Sequence, residues 1–190
     1  MNKYKNISQN ELITMSQKND LKALGELLKR IQKDVFASFC YLCRDTESVP
    51  DLTQEVLFKL SENIKSLHNP NSFKMWLNRI IVNSFRDEAR KKLKLPKTVD
   101  IGESICNVCN EAALKPFEKM FFKQTEELIK KEILKLDENY RIAIVLREFE
   151  GLSYEEISRI TNTNIGTVKS RIARGRERLH EHLKDKLAED

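Results

Sequence analysis

The chain is poor in residues that interrupt regular structure. Its 190 residues include only 5 Gly and 4 Pro. That disfavours a turn-rich all-β chain or a low-complexity linker protein. No stretch approaches the ~18 consecutive apolar residues of a membrane span. The first twenty residues, MNKYKNISQNELITMSQKND, hold no apolar run, so no signal peptide is expected. Four Cys do not make a disulfide scaffold at this length. No Ser/His/Asp set, phosphate-cradling Gly loop or metal-binding His cluster stands out. The expectation is a non-enzymatic, cytoplasmic protein with no cofactor, no metal and no direct membrane insertion.

Charge, by contrast, is plentiful. Charged residues make up 33% and the net charge is +5. Residues 1–95 carry 17 basic and 11 acidic side chains, whereas residues 125–164 carry 6 and 9. Residues 165–178 then carry 5 and 1. A short basic block in an acidic half suits a polyanion partner, although a solvated helix face has the same composition.

The apolar periodicity is helical almost throughout. Leu21, Leu24, Leu28, Ile31, Val35 and Leu42 form a stripe. Ser48-Val49-Pro50-Asp51 is a helix start, with Ser48 as N-cap and Asp51 as its reciprocal partner. Leu52, Val56, Leu60 and Ile64 continue that helix. His68-Asn69-Pro70-Asn71 has turn chemistry. A long helix follows, with Phe73, Trp76, Leu77, Ile80 and Ile81 on one face and a basic end. Trp76 could stack on a base, but its register with Phe73 and Ile80 places it in the core.

Residues 96–124 lose periodicity and read as a linker, with room for a short helix near Lys119–Gln124. Fully extended, such a segment reaches roughly 90 Å. Helical patterning resumes with Leu128, Ile129, Ile133, Leu134 and Leu136. Ile142, Val145, Leu146 and Phe149 form the next stripe, ended by Gly151 as a C′ glycine. The fold class expected is all-α: two small helical domains joined by a flexible linker, the second a helix-turn-helix domain.

Residues 151–179, GLSYEEISRITNTNIGTVKSRIARGRERL, carry the most informative local pattern. Ser153 and Glu156 make a capping box for a short helix. A polar turn, Thr161 to Asn164, leads to a longer basic helix capped by Asn164. This is the helix-turn-helix plan, whose second helix puts its N-terminal residues at base edges. Here those are Thr167, Lys169, Ser170 and Arg171, with Arg174 one turn on. Val168, Ile172 and Leu179 are spaced to face inward. Arg can read guanine bidentately, while Lys and Ser mostly hold phosphates.

A second pattern lies upstream. The D-L-x-Q-E-V run at Asp51–Val56 precedes a W-L-x-R-I-x-x-N-x-x-x-D-x-x-R pattern at Trp76, Leu77, Arg79, Ile80, Asn83, Asp87 and Arg90. These runs, followed by G-x-S-Y-E-E-I and G-T-V-K-S-R, resemble bacterial RNA polymerase sigma factors of the extracytoplasmic-function (ECF) group. The resemblance implies region two over residues 15–95, a linker over 96–124 and region four over 125–190. It implies that Asp51, Gln54 and Glu55 dock on core RNA polymerase. Promoter DNA is the second implied partner, and an anti-sigma factor a third. Loop residues Asn69, Asn71 and Ser72 would receive an unstacked base of the minus-ten element. Arg79, Arg86, Arg90 and Lys91 would hold the phosphates of that strand, and Asn83 and Arg86 would reach its bases. The last helix would read the minus-thirty-five element.

One departure is Asp137 after Leu136, where many members have Pro. The cysteines, Cys40-x-x-Cys43 and Cys106-x-x-Cys109, are spaced too far apart for a compact zinc finger. Cys40 and Cys43 read as buried free thiols. A helix-turn-helix regulator acting without stable polymerase association accounts for residues 151–179 only. A recombinase would need a catalytic Ser or Tyr with an Arg cluster.

Overall fold

The computed structural model describes residues 3–94 and 116–187. The described residues within 1–39 and 47–98 form one compact unit, and those within 40–46 and 99–190 a second. Among the described residues every regular element is helical.

The first unit begins earlier than the sequence pattern suggested. A 3₁₀ turn, Lys3–Asn6, leads into α1, Gln9–Gln17. Ser8 and Glu11 form a capping box at its start. Arg30 pins this segment by donating to the carbonyls of Tyr4, Lys5 and Ile7. Leu12 and Ile13 are fully buried, so α1 contributes to the core of this unit.

In α2, Leu21–Leu42, the buried line is Ala23, Leu27, Ile31, Val35 and Phe39. This corrects the expected stripe: Leu21 is 77% exposed, and Leu24 and Leu28 are half-buried. Two parallel apolar rows run along this helix, and tertiary packing selects one.

Helix α3, Val49–Asn63, buries Leu52, Val56 and Leu60. Its expected capping box does not form. Ser48 is already in the right-handed helical region, and its side chain makes no capping hydrogen bond. A capping side chain needs an extended N-cap backbone to turn back on the first amides. Helix α4, Phe73–Lys94, packs against α3 and buries Phe73, Leu77, Ile81, Val82 and Phe85.

In the second unit α5 spans Pro116–Lys135, so the short helix expected near Lys119–Gln124 is the start of a longer one. Helix α6, Glu138–Ile144, runs on into a π-helical turn, Val145–Phe149. Glu150 N–H there bonds to the Val145 carbonyl, five residues back. The wider turn shifts the apolar register. Val145 and Leu146 are buried, but Phe149 is 42% exposed, against expectation. Gly151 then takes φ +64°, the left-handed C′ conformation. Helix α7, Tyr154–Thr161, opens with the Ser153–Glu156 capping box. Asn162, also left-handed, ends it. Helix α8, Ile165–Leu187, completes the unit.

Candidate nucleic-acid interface

The second helix of the α7–turn–α8 hairpin is anchored from below. Asn164 Oδ1 accepts from Thr167 N–H at 2.7 Å. A Cβ on Gly166 would stand 3.3 Å from that same oxygen, so a small residue lets the cap close. Val168 and Ile172 are buried, while Leu179 is only half-buried. Gly175 completes the inward line, and a Cβ there would lie 2.8 Å from Ile144.

At 100° per residue, Thr167, Arg171, Arg174 and Arg178 share one flank of α8. Lys169 and Arg176 share the other. The lower pair is neutralised: Arg176 chelates Glu148 at 2.6 and 2.9 Å, and Arg178 donates to Asp137 at 2.5 Å. Asp137, the departure noted in the sequence, therefore ties α6 to α8. Arg171 and Arg174 have no acidic partner among the described residues. Lys169 Nζ sits 5.8 Å from the Tyr154 ring, whose centroid is 4.8 Å from the Arg147 guanidinium. Ser170 is exposed and bonds to the Thr167 carbonyl. The unneutralised cations thus gather at the N-terminal half of α8.

Below them, Glu132 is buried, with its carboxylate 1% exposed. Lys186 and Lys135 donate to Oε1 at 2.5 and 3.0 Å, and His182 Nδ1 stands 3.4 Å from Oε2. Burial pushes this carboxyl up, but the two lysines outweigh it and hold it below its ordinary value.

The first unit offers a groove of about 500 Å³. Lys59, Asn63 and Ser66 line it from one side, and Trp76, Arg79, Ile80, Asn83 and Asp87 from α4. Trp76 is therefore not core. It is half-buried at the groove wall, with Phe73 buried behind it. Arg79, Asn83, Arg86 and Arg90 fall within a narrow arc of α4. Arg79, Asn83 and Arg90 are exposed there, Arg86 is half-buried, and Arg90 pairs with Asp87 at 3.0 Å. Lys91 is exposed on the far side of Ile80.

The loop beside α4 is a 3₁₀ turn, Pro70–Ser72. Asn69 Oδ1 accepts from Asn71 N–H, and Ser72 N–H bonds to the Asn69 carbonyl. Two residues of α1 brace it and the turn before it, and neither was foreseen from the sequence. Gln17 Nε2 donates to the Ile64 and Leu67 carbonyls at 3.1 and 2.6 Å. Asn10 Nδ2 donates to Asn71 Oδ1 at 2.8 Å. The Ser8-x-x-Glu11 spacing was the legible sign that these residues stand on a helix.

Asp51 and Gln54 are exposed on α3. Glu55 lies beside them but pairs with Lys59 at 2.5 Å. Lys59 in turn donates to Ser84 of α4 at 2.9 Å. Phe58, one turn on, is 62% exposed.

Cys40 and Cys43 are buried, but Cys40 is disulfide-bonded, which corrects the free-thiol reading for Cys40 alone. A disulfide sulfur cannot serve as a thiolate ligand. Cys106 and Cys109 lie outside the described residues. Among the described residues no helix is long and apolar enough to cross a membrane.

Two family descriptions match the chain in order: Sigma-70 region 2 over residues 27–94 and Sigma-70, region 4 over residues 126–179. The ECF RNA polymerase sigma-E factor of Escherichia coli strain K12 is 35% identical over 171 residues, covering 87% of this chain and 89% of the relative. The chain belongs to the ECF sigma factors. The sigma-E factor of Haemophilus influenzae is 32% identical, covering 93% of this chain and 96% of its own. A sigma factor RpoE, solved with the anti-sigma factor NepR from Bartonella quintana, superposes with a TM-score of 0.65. It is 27% identical, and the match covers 86% of this chain and 98% of that one. CnrH, solved with the cytosolic domain of CnrY, has the same fold at a TM-score of 0.64 and 20% identity. ECF sigma factors are non-enzymatic initiation factors that bind core RNA polymerase and direct it to promoters. The region 2 match leaves the free-standing regulator reading with no account of the first unit.

Proposed function

We propose that the first unit docks on core polymerase and captures a melted strand, while the second reads duplex DNA. Docking is assigned to Asp51, Gln54 and Glu55. Asn69, Asn71 and Ser72 receive an unstacked base of the minus-ten element. Arg79, Asn83, Arg86, Arg90 and Lys91 hold the strand. Thr167, Lys169, Ser170, Arg171 and Arg174 read the minus-thirty-five element.

The observation that carries this reading is the uneven neutralisation of α8. Its lower arginines are paired with Glu148 and Asp137, whereas Arg171 and Arg174 have no such partner. Cations left free near a helix N-terminus suit the edge of a major groove. The groove on α4 supports the other half of the proposal. It sets an aromatic wall, Trp76, beside Arg79 and Asn83. A single strand held along α4 gains from such a stacking surface with polar groups at its rim.

Capture of unstacked bases stabilises the melted state without covalent chemistry. The protein then acts where polymerase and DNA are, in the cytoplasm. An anti-sigma factor is the proposed regulator, supported by the Bartonella quintana relative solved with one. The deciding experiment is reconstituted transcription with core polymerase and a promoter library. Sigma-dependent initiation at a defined two-element sequence is expected. Duplex binding without any initiation would overturn the proposal.

A further inference from the structure

Lys59 stands where two surfaces meet. Asp51, Glu55, Lys59 and Asn63 follow at four-residue intervals along α3, so they form one row on its surface. The first half of the row, Asp51 and Glu55, belongs to the proposed docking face. The second half, Lys59 and Asn63, lines the groove with Trp76, Arg79 and Asn83 of α4. Lys59 Nζ is held from both sides. It pairs with Glu55 Oε1 at 2.5 Å and donates to the Ser84 hydroxyl at 2.9 Å. Ser84 is 1% exposed, so that bond fixes the ammonium against α4. The pair with Glu55 is looser. Both its side chains are 36% exposed, and water offsets most of what such a pair gains.

We propose that Glu55 competes with a strand phosphate for Lys59. In the undocked protein the carboxylate neutralises the cation that α3 contributes to the groove. When Glu55 turns to core polymerase, the ammonium keeps its Ser84 bond and loses its counter-ion. It then attracts a phosphate of the single strand beside Arg79 and Asn83. Carboxylate and phosphate oxygens are both charged acceptors for an ammonium, so the two exclude each other there. Docking and strand capture therefore assist one another, each by the same factor. That factor is at most about fivefold, because an exposed pair holds Lys59 no more tightly. This inference rests on the reading that Glu55 docks on polymerase and that the α4 groove holds a melted strand.

The test measures binding of a labelled single-stranded promoter oligonucleotide to the full-length protein, alone and bound to core polymerase, at several salt concentrations. Each phosphate contact on a single strand adds about 0.7 to the salt slope. Lys59→Gln is expected to leave the slope of the free protein unchanged and to lower that of the polymerase complex by about 0.7. Lys59→Arg keeps the charge and should keep the wild-type slope in both. Glu55→Gln should raise the strand affinity of the free protein by up to about fivefold. That gain should vanish when Glu55→Gln and Lys59→Gln are combined. Thermal unfolding of each variant reports that the fold is intact, since loss of the Ser84 bond moves the melting temperature and not the slope.

An equal loss of slope in the free protein and in the complex would show that Glu55 does not compete. No loss in either would show that Lys59 meets no phosphate. Each result overturns the inference. Two further measurements separate it from the reading beneath it. If Arg79→Ala leaves strand binding by the complex unchanged, the groove assignment fails and the inference with it. If replacing Asp51, Gln54 and Glu55 by Ala leaves core affinity unchanged, the docking assignment fails first.

Discussion

Gly175 of α8 lies so close to Ile144 of α6 that a methyl group on it would stand 2.8 Å from Ile144 Cγ1. The helix bearing the DNA-facing cations is therefore seated by a missing side chain. Gly175→Ala gains about 1 kcal/mol of helix propensity. It also forces overpacking, which costs typically ~1–3 kcal/mol. The crowded atom is a methylene next to the branch of a β-branched side chain, so repacking costs more than propensity gains. A fall in the melting temperature by several degrees is expected, with weaker minus-thirty-five binding. A melting temperature equal to or above wild type would mean that the two helices part freely.

The docking face yields a second expectation. Ser48 does not cap α3, so Asp51 is released from the reciprocal role that would have made it structural. Glu55 pairs with Lys59, each side chain 36% exposed, and exposed pairs contribute ~0–1 kcal/mol. Replacing Asp51, Gln54 and Glu55 together by Ala should therefore leave thermal stability within about 1 kcal/mol. Affinity for core polymerase, measured by pull-down or by competition with another sigma factor, should drop sharply. Wild-type affinity in the triple variant would remove these residues from the interface.

How much of this was legible beforehand depends on how local each cause is. The Ser153–Glu156 capping box, the Gly151 stop and the Asn164 cap are each set within a few residues, and all three form. The Ser48–Asp51 pattern is equally local yet fails, because Ser48 takes a helical rather than an extended backbone. Trp76 keeps perfect helical register with buried neighbours but faces a groove, since periodicity gives a direction and not the shape of the neighbour. Gly175 is invisible to any count of apolar volume. The Asn10–Asn71 bond joins two polar residues that no pattern couples.

Glu132 gives a pH dependence. Its folded value is depressed below the ordinary 4.5 despite burial, through Lys186 and Lys135. A depressed carboxyl adds stability above the unfolded value and loses it as pH falls through the folded one. The wild type should therefore lose stability below pH 4.5. Glu132→Gln should lose less over that range and be less stable near neutral pH. Glu132→Ala, which removes the hydrogen bonds outright, should cost about 1–2 kcal/mol at neutral pH. Melting curves recorded from roughly pH 7 to 3 decide the matter. Parallel curves for wild type and Glu132→Gln would show that the carboxylate is not held below its ordinary value.

The two flanks of α8 make different predictions for neighbouring cations. Arg171 shares its flank with Thr167 and Arg174, beside the buried line of Val168 and Ile172, and has no acidic partner among the described residues. Its guanidinium is a rigid fork of donors, suited to two acceptors on one guanine. Lys169 lies on the opposite flank, over the Tyr154 ring, where a point charge serves a phosphate. Arg171→Ala should therefore cost about 1–3 kcal/mol on the preferred duplex and relax preference at one base pair. Lys169→Ala should weaken every duplex evenly and reduce the salt slope by about one. Both variants would be measured as full-length protein with core polymerase, titrated against minus-thirty-five variants at several salt concentrations. Pairing of Arg176 with Glu148 supplies the control, since Arg176→Ala should change neither the preference nor the slope appreciably. Should Arg171→Ala lower affinity by one factor for every duplex, Arg171 acts by charge alone and the base-reading flank must be sought elsewhere on the helix.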